Sequence, residues 1–369
     1  MRAYIWSLPT RAFHMMFAAF ILTAYFSGDE DKLSTLHVSF GYAIGILVIY
    51  RIIWGFVGPS YSRFSDFSLH VKELKEFVLN IFNHKKYAGH NPAASFVMIT
   101  MFAVVLLTVV TGILTYGIQE GRGILSFLNT PYFKEMKLFK EVHEFFSTFL
   151  MILIALHVSG VIFDRVMDKK TDTLGSIVNG HKNIDAPSVT LNLFQKIFSL
   201  LALGAAMGVL LYSLFFNSVL TRSHYSPISY QKENSAFVAE CGSCHTLYPP
   251  SLLPRASWSK MMDNLDDHFG DDASLDETTR LSIKEYLMKN SAESSTKESA
   301  FYILESIKGN QDIIAITQTP YWKKRHAEID KNIFSRNEIK SKANCKACHS
   351  DIEKGMIEDM NIKIPKIKA

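Results

Sequence analysis

The chain has 369 residues, with 39 Lys and Arg against 35 Asp and Glu, for a formal net charge of +4. Nothing in that balance forms a polybasic stripe with interleaved aromatics, which excludes nucleic acid as a partner. The mean hydropathy of +0.09 averages over a split: residues up to about 220 hold long uncharged runs, and 222–369 are charge-rich throughout.

The N-terminus, "MRAYIWSLPTRAFHMM", begins positive, but the apolar stretch after it ends in "YFSGDEDK" without a small-x-small cleavage motif. It therefore reads as a membrane span and not as a cleaved signal peptide. Five segments, at 11–27, 36–56, 93–116, 142–163 and 193–219, are apolar enough to predict crossings. The first is short and carries a histidine. Between spans two and three, "SLHVKELKEFVLNIF" spaces its apolar residues at helical period and is expected to lie along the inner membrane face.

Orientation follows from Lys and Arg in the short loops. Arg2 and Arg11 precede the first span. The loop at 57–92 carries Arg63, Lys72, Lys75, Lys85 and Lys86, and the loop at 164–192 carries Arg165, Lys169, Lys170 and Lys182. The first outer loop, "GDEDKLST", holds one Lys against three acids. The loop at 117–141 is mixed (Arg122, Lys134, Lys137, Lys140) and weakens the asymmetry without reversing it. The N-terminus is expected inside and the C-terminus outside, after five spans of a bacterial inner membrane.

His14, His37, His143 and His157 all fall in or at the ends of these spans. A lone intramembrane histidine is usually a hydrogen-bonded packing residue, but ionisable groups in a bilayer are costly and four at matched depths mark function. His14 lies near the inner end of span one and His37 at the outer start of span two. His143 lies near the outer end of span four, and His157 fourteen residues on is about 21 Å deeper on the same face. The expected pairs are His37 with His143 outside and His14 with His157 inside. Each pair can clamp an iron between two helices, as two stacked, non-covalent b-type haems require.

Gly41 and Gly45 form a Gly-x-x-x-Gly face on span two, which suits either a flat macrocycle or ordinary helix packing. Arg51, fourteen residues below His37, can pair with a haem propionate or snorkel to the interface. The Phe-rich spans read as ordinary lipid-facing and core residues.

Residues 1–185 resemble the prokaryotic cytochrome b561 family, which includes the membrane b subunits of nickel–iron hydrogenases. The resemblance rests on "RAFHMMF", "HVSFGYAIGILVIYRIIWGFVGPSYSRFSDF", "GHNP", "EVHEFFSTFLMILIALHVSGVIF" and "SIVNGHK". It implies His14, His37, His143 and His157 as the haem ligands, a four-helix core with two b haems, and exchange of electrons with quinones. Span five is an addition to that core.

All four cysteines fall in two Cys-x-x-Cys-His units, "CGSCH" at 241–245 and "CKACH" at 345–349. Two thiols add to the haem vinyl groups and the adjacent histidine ligates the iron. A zinc ribbon would set its Cys pairs closer in sequence, and a redox dithiol needs no following His in both copies. Cys241, Cys244 and His245 are thus expected to hold one covalent c haem, and Cys345, Cys348 and His349 a second. This attachment is periplasmic chemistry in bacteria, which agrees with the odd span count. For the sixth ligands the tail offers His224, His268 and His326, with Met261, Met262, Met288, Met356 and Met360.

Residues 234–369 resemble the small dihaem cytochromes c, through "CGSCHTLYPPSLLPRASW", "HFGDDASLD", "TQTPYW" and "NCKACHSDIEKG". That resemblance implies bis-histidine haems and so His268 for the first haem and His326 for the second. The stretch "SAESSTKESA" at 291–300 is expected to join two lobes. Asp263 to Glu277 is acidic and the chain from Lys323 is basic, a pattern of solvated faces or of separate docking surfaces for a charged partner.

The expected architecture is all-α: residues 1–185 a b561-like membrane domain, 186–233 a fifth transmembrane helix and linker, and 234–369 a periplasmic dihaem domain. The expected function is a tetrahaem carrier between membrane quinol and a periplasmic electron acceptor such as a c-type cytochrome, a quinol:cytochrome c oxidoreductase of a respiratory chain. The alternative is an anchor subunit that relays electrons from a periplasmic dehydrogenase, such as a hydrogenase, to quinone. A haem sensor would need an open iron position, against which the surplus of histidines argues.

Overall fold

The computed structural model describes residues 2–82, 86–134, 138–308 and 312–365. Lys85 and Lys137, counted above for orientation, lie outside the described residues, as does the side chain of Met360. The chain forms two compact units, Met1–Thr115 with Lys137–Arg222 and Tyr116–Met136 with Ser223–Ala369. The last long helix belongs to the first unit, and the loop at 116–136 folds with the tail.

In the first unit a short strand β1 (Ala3–Tyr4) leads into α1 (Leu8–Ser27), whose Pro9 sits in the first turn, where a missing N–H costs nothing. Helices α2 (Ser34–Val57), α3 (Val71–Leu79) and α4 (Pro92–Ile118) follow. After the four-residue α5 (Pro131–Lys134) come α6 (Leu138–Met167), α7 (Thr173–Asn179), strand β2 (His181–Lys182) and α8 (Leu193–Phe215). Asn192 and Gln195 form a capping box that fixes where α8 starts. Helices α2, α4, α6 and α8 are long and apolar enough to cross a membrane. The 20-residue α1 carries Thr10, Arg11 and His14 and does not count with them.

Phe13, Phe17 and Phe20 of α1, Leu47 and Val48 of α2, Val104 and Val105 of α4, Leu150 and Leu153 of α6, and Ala206 and Leu210 of α8 share one core. Helix α8 is held there because Phe198 stacks on Tyr50 and Trp54, and because the Gln195 amide donates to the carbonyl of Val57. Outward residues such as Ile152 and Leu156 stay exposed, as lipid-facing positions would.

The chain segments at one end of this bundle are bonded to each other. Strands β1 and β2 pair antiparallel, with Ala3 opposite Lys182. The Trp6 indole donates to Ser176, the Tyr61 hydroxyl to Pro187 O, and the Lys182 ammonium to the carbonyls of Tyr87 and Gly89. Gly180 ends α7 at φ +83°, and a Cβ there would run into the Tyr4 ring. Only glycine meets both conditions.

The second unit is built of short helices. They are α9 (Tyr230–Glu233), α10 (Ser235–Cys241), α11 (Arg255–Met262), α12 (Glu277–Lys289), α13 (Glu298–Ile307), α14 (Pro320–Arg325) and α15 (Lys331–Phe334). Side-chain caps set several starts: Asn234 accepts from Phe237 N, Asp276 from Thr279 N, and Thr319 from Trp322 N. One core gathers Tyr230, Phe237, Trp258, Met262, Ile283 and Leu287, and a second gathers Leu252, Ile303, Ile307 and Ile352.

Loop 116–136 joins this unit through specific bonds. Arg122 ion-pairs with Glu358, the His224 N–H donates to Gly121 O, and the Tyr225 hydroxyl donates to Asn129. The stretch 291–300 is more tightly built than a polar joint. Ser291 and Ala292 are fully buried, Ala292 N donates to Leu253 O, and the Lys297 ammonium donates to Gly355 O.

Candidate functional site

Two imidazoles on opposite sides of one metal ion, each held by a metal–nitrogen bond of about 2 Å, put their ring centroids about 6 Å apart. Among the described residues, four histidine pairs have this spacing. His14 and His157 lie 6.4 Å apart and His37 and His143 lie 6.0 Å apart, each pair joining two helices of the first unit. In the second unit His245 and His268 lie 6.2 Å apart, as do His326 and His349. At such separations the rings are too far apart for direct hydrogen bonding, yet close enough for one ion between them.

Nitrogen chemistry agrees with the spacing. The Nδ1 of His37 bonds the carbonyl of Ala24 at 2.8 Å, and that of His143 bonds Thr108 O at 2.8 Å. The Nδ1 of His245 reaches Thr246 O at 2.8 Å, and that of His326 reaches Trp322 O at 2.8 Å. A carbonyl can only accept, so these Nδ1 atoms carry the proton and each Nε2 keeps a free lone pair. His14 and His349 have buried Nδ1 atoms without a hydrogen-bond partner.

The His37–His143 pair also depends on close backbone approach. A Cβ added at Gly112 of α4 would lie 2.8 Å from the His143 ring, and one at Gly28 would lie 3.3 Å from the His37 ring. Neither glycine stands out in the sequence, because only helix packing brings them beside a histidine. The two glycines of the α2 face have different surroundings. A Cβ at Gly45 would meet Val109 of α4 at 3.2 Å, so that position is a helix contact, whereas Gly41 faces open space.

In the tail, burial pushes the thiols of Cys241 and Cys345 up to about 11 and raises that of Cys348. A redox dithiol instead relies on a depressed thiol. Burial lowers His268, His326 and His349, which favours the neutral imidazole that a metal takes. His326 is fixed by stacking on Trp322 at 4.3 Å. His268 sits on a tight turn in which Phe269 and Gly270 take positive φ and its N–H donates to Asp271 O. A pocket lined by Met261, Asp267, His268 and Phe269 opens beside it. His224 is exposed and packs on Tyr225. Met262 and Met356 are buried as core residues.

Tyr248, absent from the candidates above, stacks on His245 with centroids 4.9 Å apart, and its hydroxyl donates to Ala343 O at 2.6 Å. It thereby links one Cys-x-x-Cys-His segment to the residue two before Cys345. The spacing of the sequence gave no sign of it, since the link spans 95 positions.

Arg51 is 4% exposed, and its guanidinium lies over the rings of Phe64, Phe67 and Phe102. His90 and Lys182 share this region, and neither was a candidate from the sequence.

Comparison with known proteins gives two family matches. Residues 5–180 match the model described as prokaryotic cytochrome b561, and residues 237–357 match dihaem cytochrome c. A probable Ni/Fe-hydrogenase B-type cytochrome subunit from Rhizobium leguminosarum bv. viciae is 24% identical over 213 residues, covering 48% of this chain and 88% of that protein. One of the same description from Bradyrhizobium diazoefficiens is 26% identical over 162 residues, covering 40% of this chain and 64% of its own length. A dihaem cytochrome c structure from Rhodobacter sphaeroides is 35% identical, covering 36% of this chain and 99% of its own, with a TM-score of 0.31. One from Shewanella baltica is 33% identical, covering 36% and 94%, with a TM-score of 0.29.

Proposed function

Because the chain belongs to the prokaryotic cytochrome b561 family over residues 5–180 and to the dihaem cytochrome c family over 237–357, we propose that this membrane electron carrier holds four haems and works as a quinol-to-periplasm conduit. The observation that carries the reading is the set of four histidine pairs at 6.0 to 6.4 Å. In this reading His14 with His157 and His37 with His143 hold two haem b. Cys241, Cys244, His245 and His268 hold one haem c, and Cys345, Cys348, His349 and His326 the other. Bound haem supplies one-electron exchange between ferric and ferrous iron, and two histidines per iron leave no position open for substrate.

Five crossings of a bacterial inner membrane fit the way the loops group. Residues 2–7, the loop before α4 and the loop between α6 and α8 bond to one another, whereas the loop between α4 and α6 folds with the tail. Counting α1 as a span yields this grouping with the N-terminus inside and the dihaem unit in the periplasm. Each quinol oxidised yields two electrons and two protons. The electrons enter at the membrane histidine pairs and leave one at a time through the tail to a periplasmic acceptor such as a c-type cytochrome.

Adding quinol to proteoliposomes carrying the full chain is expected to reduce haem b before haem c in stopped-flow spectra. Reduction of haem c first, or of neither, would sink the proposed order. The names of the Rhizobium and Bradyrhizobium relatives favour one alternative, in which a periplasmic hydrogenase feeds electrons through the same haems to quinone. Co-purification with such an enzyme, together with haem c reduction preceding haem b, selects it.

Gly112→Ala offers a subtler check. Its new methyl would crowd the His143 ring, and overpacking of this kind costs about 1–3 kcal/mol. The expected outcome is a shifted or partly lost signal from one haem b, with the other haem b and both haems c unchanged. An unaltered b spectrum would show that His143 does not hold haem where α4 constrains it.

A further inference from the structure

Three basic side chains from three separate segments, two of them buried and His90 half-buried, gather in the first unit beside the His14–His157 pair. Arg51 of α2 is 4% exposed, Lys182 of β2 is 3% exposed, and His90 precedes α4. Aromatic rings alternate with them in a continuous row. The Arg51 guanidinium lies 5.8 Å from the Phe67 ring, and Phe67 lies 4.9 Å from His90. His90 lies 4.8 Å from Trp6, whose ring is in turn 5.6 Å from the Lys182 ammonium. The positive field of Arg51 and Lys182 acts on His90, as do His14 and His157.

This gathering is unfavourable as it stands. Arg51 Nη1 and His90 Nδ1 are buried without a hydrogen-bond partner, and the Lys182 ammonium is met by the carbonyls of Tyr87 and Gly89. One carboxylate, Asp164, acts on Lys182. Taking a cation out of water costs more than aromatic faces return, unless an anion sits against it. Burial holds Lys182 down at about 8, still above neutrality, so it keeps its charge at pH 7. His90 is held at about 3 by burial and by these two cations, so it enters as a neutral N–H donor.

We infer that Arg51, His90 and Lys182 form a carboxylate cradle that takes the propionates of the haem held between His14 and His157. The inference deepens the reading above and rests on that pair holding a haem. Arg51 had two roles open to it from the sequence, and this inference gives it the propionate role with two partners. A buried cation beside that haem would interact less favourably with the ferric form than with the ferrous form, because ferric iron carries one more positive charge. Removing the cation therefore lowers the midpoint potential of that haem.

The test uses the full-length haem-loaded protein in detergent, with optical redox titration, haem b and haem c content, and infrared redox difference spectra of the carboxylate bands. In Arg51→Met one haem b is expected to become at least tenfold harder to reduce, a drop of 59 mV or more for a one-electron couple. Lys182→Met shifts the same haem in the same direction, Arg51→Lys restores most of the change, and the other three haems do not move. The propionate bands shift in both Met variants. Should Arg51→Met lose haem, Lys182→Met carries the same two readouts. Retained haem with unmoved potentials and unmoved carboxylate bands overturns the cradle. A change in bound phospholipid phosphate with those readouts unmoved also overturns it, and assigns the anion to lipid. Wild-type protein that lacks any haem dependent on His14 and His157 overturns the underlying reading instead.

Discussion

His157→Ala is expected to remove one of two haem b and leave both haem c, taking the b-to-c ratio from two-to-two to one-to-two in a haemochrome assay. The reason is geometric. His14 and His157 face each other at 6.4 Å from α1 and α6, and a methyl in place of either imidazole leaves one side of the iron without a ligand. His14→Ala is expected to lose the same haem, so the His14→Ala/His157→Ala double variant loses no more than either single one. Combining His157→Ala with His143→Ala crosses the two pairs and is expected to remove both haem b, since His143 stands 6.0 Å from His37. Loss of two haems from the His14 and His157 double variant would refute the pairing.

The second large effect separates covalent from axial attachment in the tail. Replacing Cys345 and Cys348 together by Ala is expected to halve the haem that stays with the polypeptide in a denaturing gel. His326→Ala, by contrast, is expected to keep that covalent haem but open its iron, giving a high-spin form that binds carbon monoxide. The two outcomes differ because the thiols hold the porphyrin edge whereas His326 stands 6.2 Å from His349 across the proposed iron position. His268→Ala should do the same to the other haem through His245. If both single His variants keep a low-spin bis-histidine spectrum, the sixth ligands lie elsewhere in the tail.

The acidic run at 263–277 also looks different once folded. Asp263 pairs with Arg280 and Lys284, and Glu277 pairs with Arg280, so part of that charge is neutralised by α12 of the same unit. A docking surface read from the run alone would overstate the charge offered to a partner. Exposed pairs of this kind add little stability, commonly below about 1 kcal/mol.

Much was already legible in the chain itself. Long apolar runs must form helices in lipid, because no other open conformation satisfies their backbone there. The Cys-x-x-Cys-His units are local by chemistry, since both thiols and the ligand must meet one ring. The membrane histidines could be sorted by depth because helix rise converts sequence spacing into distance. Those arguments named six of the eight histidines that stand in pairs, whereas His268 and His326 came from the resemblance to the dihaem cytochromes c.

Other features depend on residues far apart in sequence, and only the tertiary structure could decide them. Gly112 crowds His143 across two helices, and Tyr248 reaches Ala343 across 95 positions. Loop 116–136 folds with the tail because Asn129 and Arg122 find Tyr225 and Glu358 there. His90 and Lys182 lie in the motifs GHNP and SIVNGHK, but nothing along the chain joins them to Arg51; the β1–β2 pairing and the packing of α2 bring them into one row. Local chemistry and helix rise act along the chain and can be read from it, whereas close approach, burial and unmatched charge arise between segments and exist only in the fold.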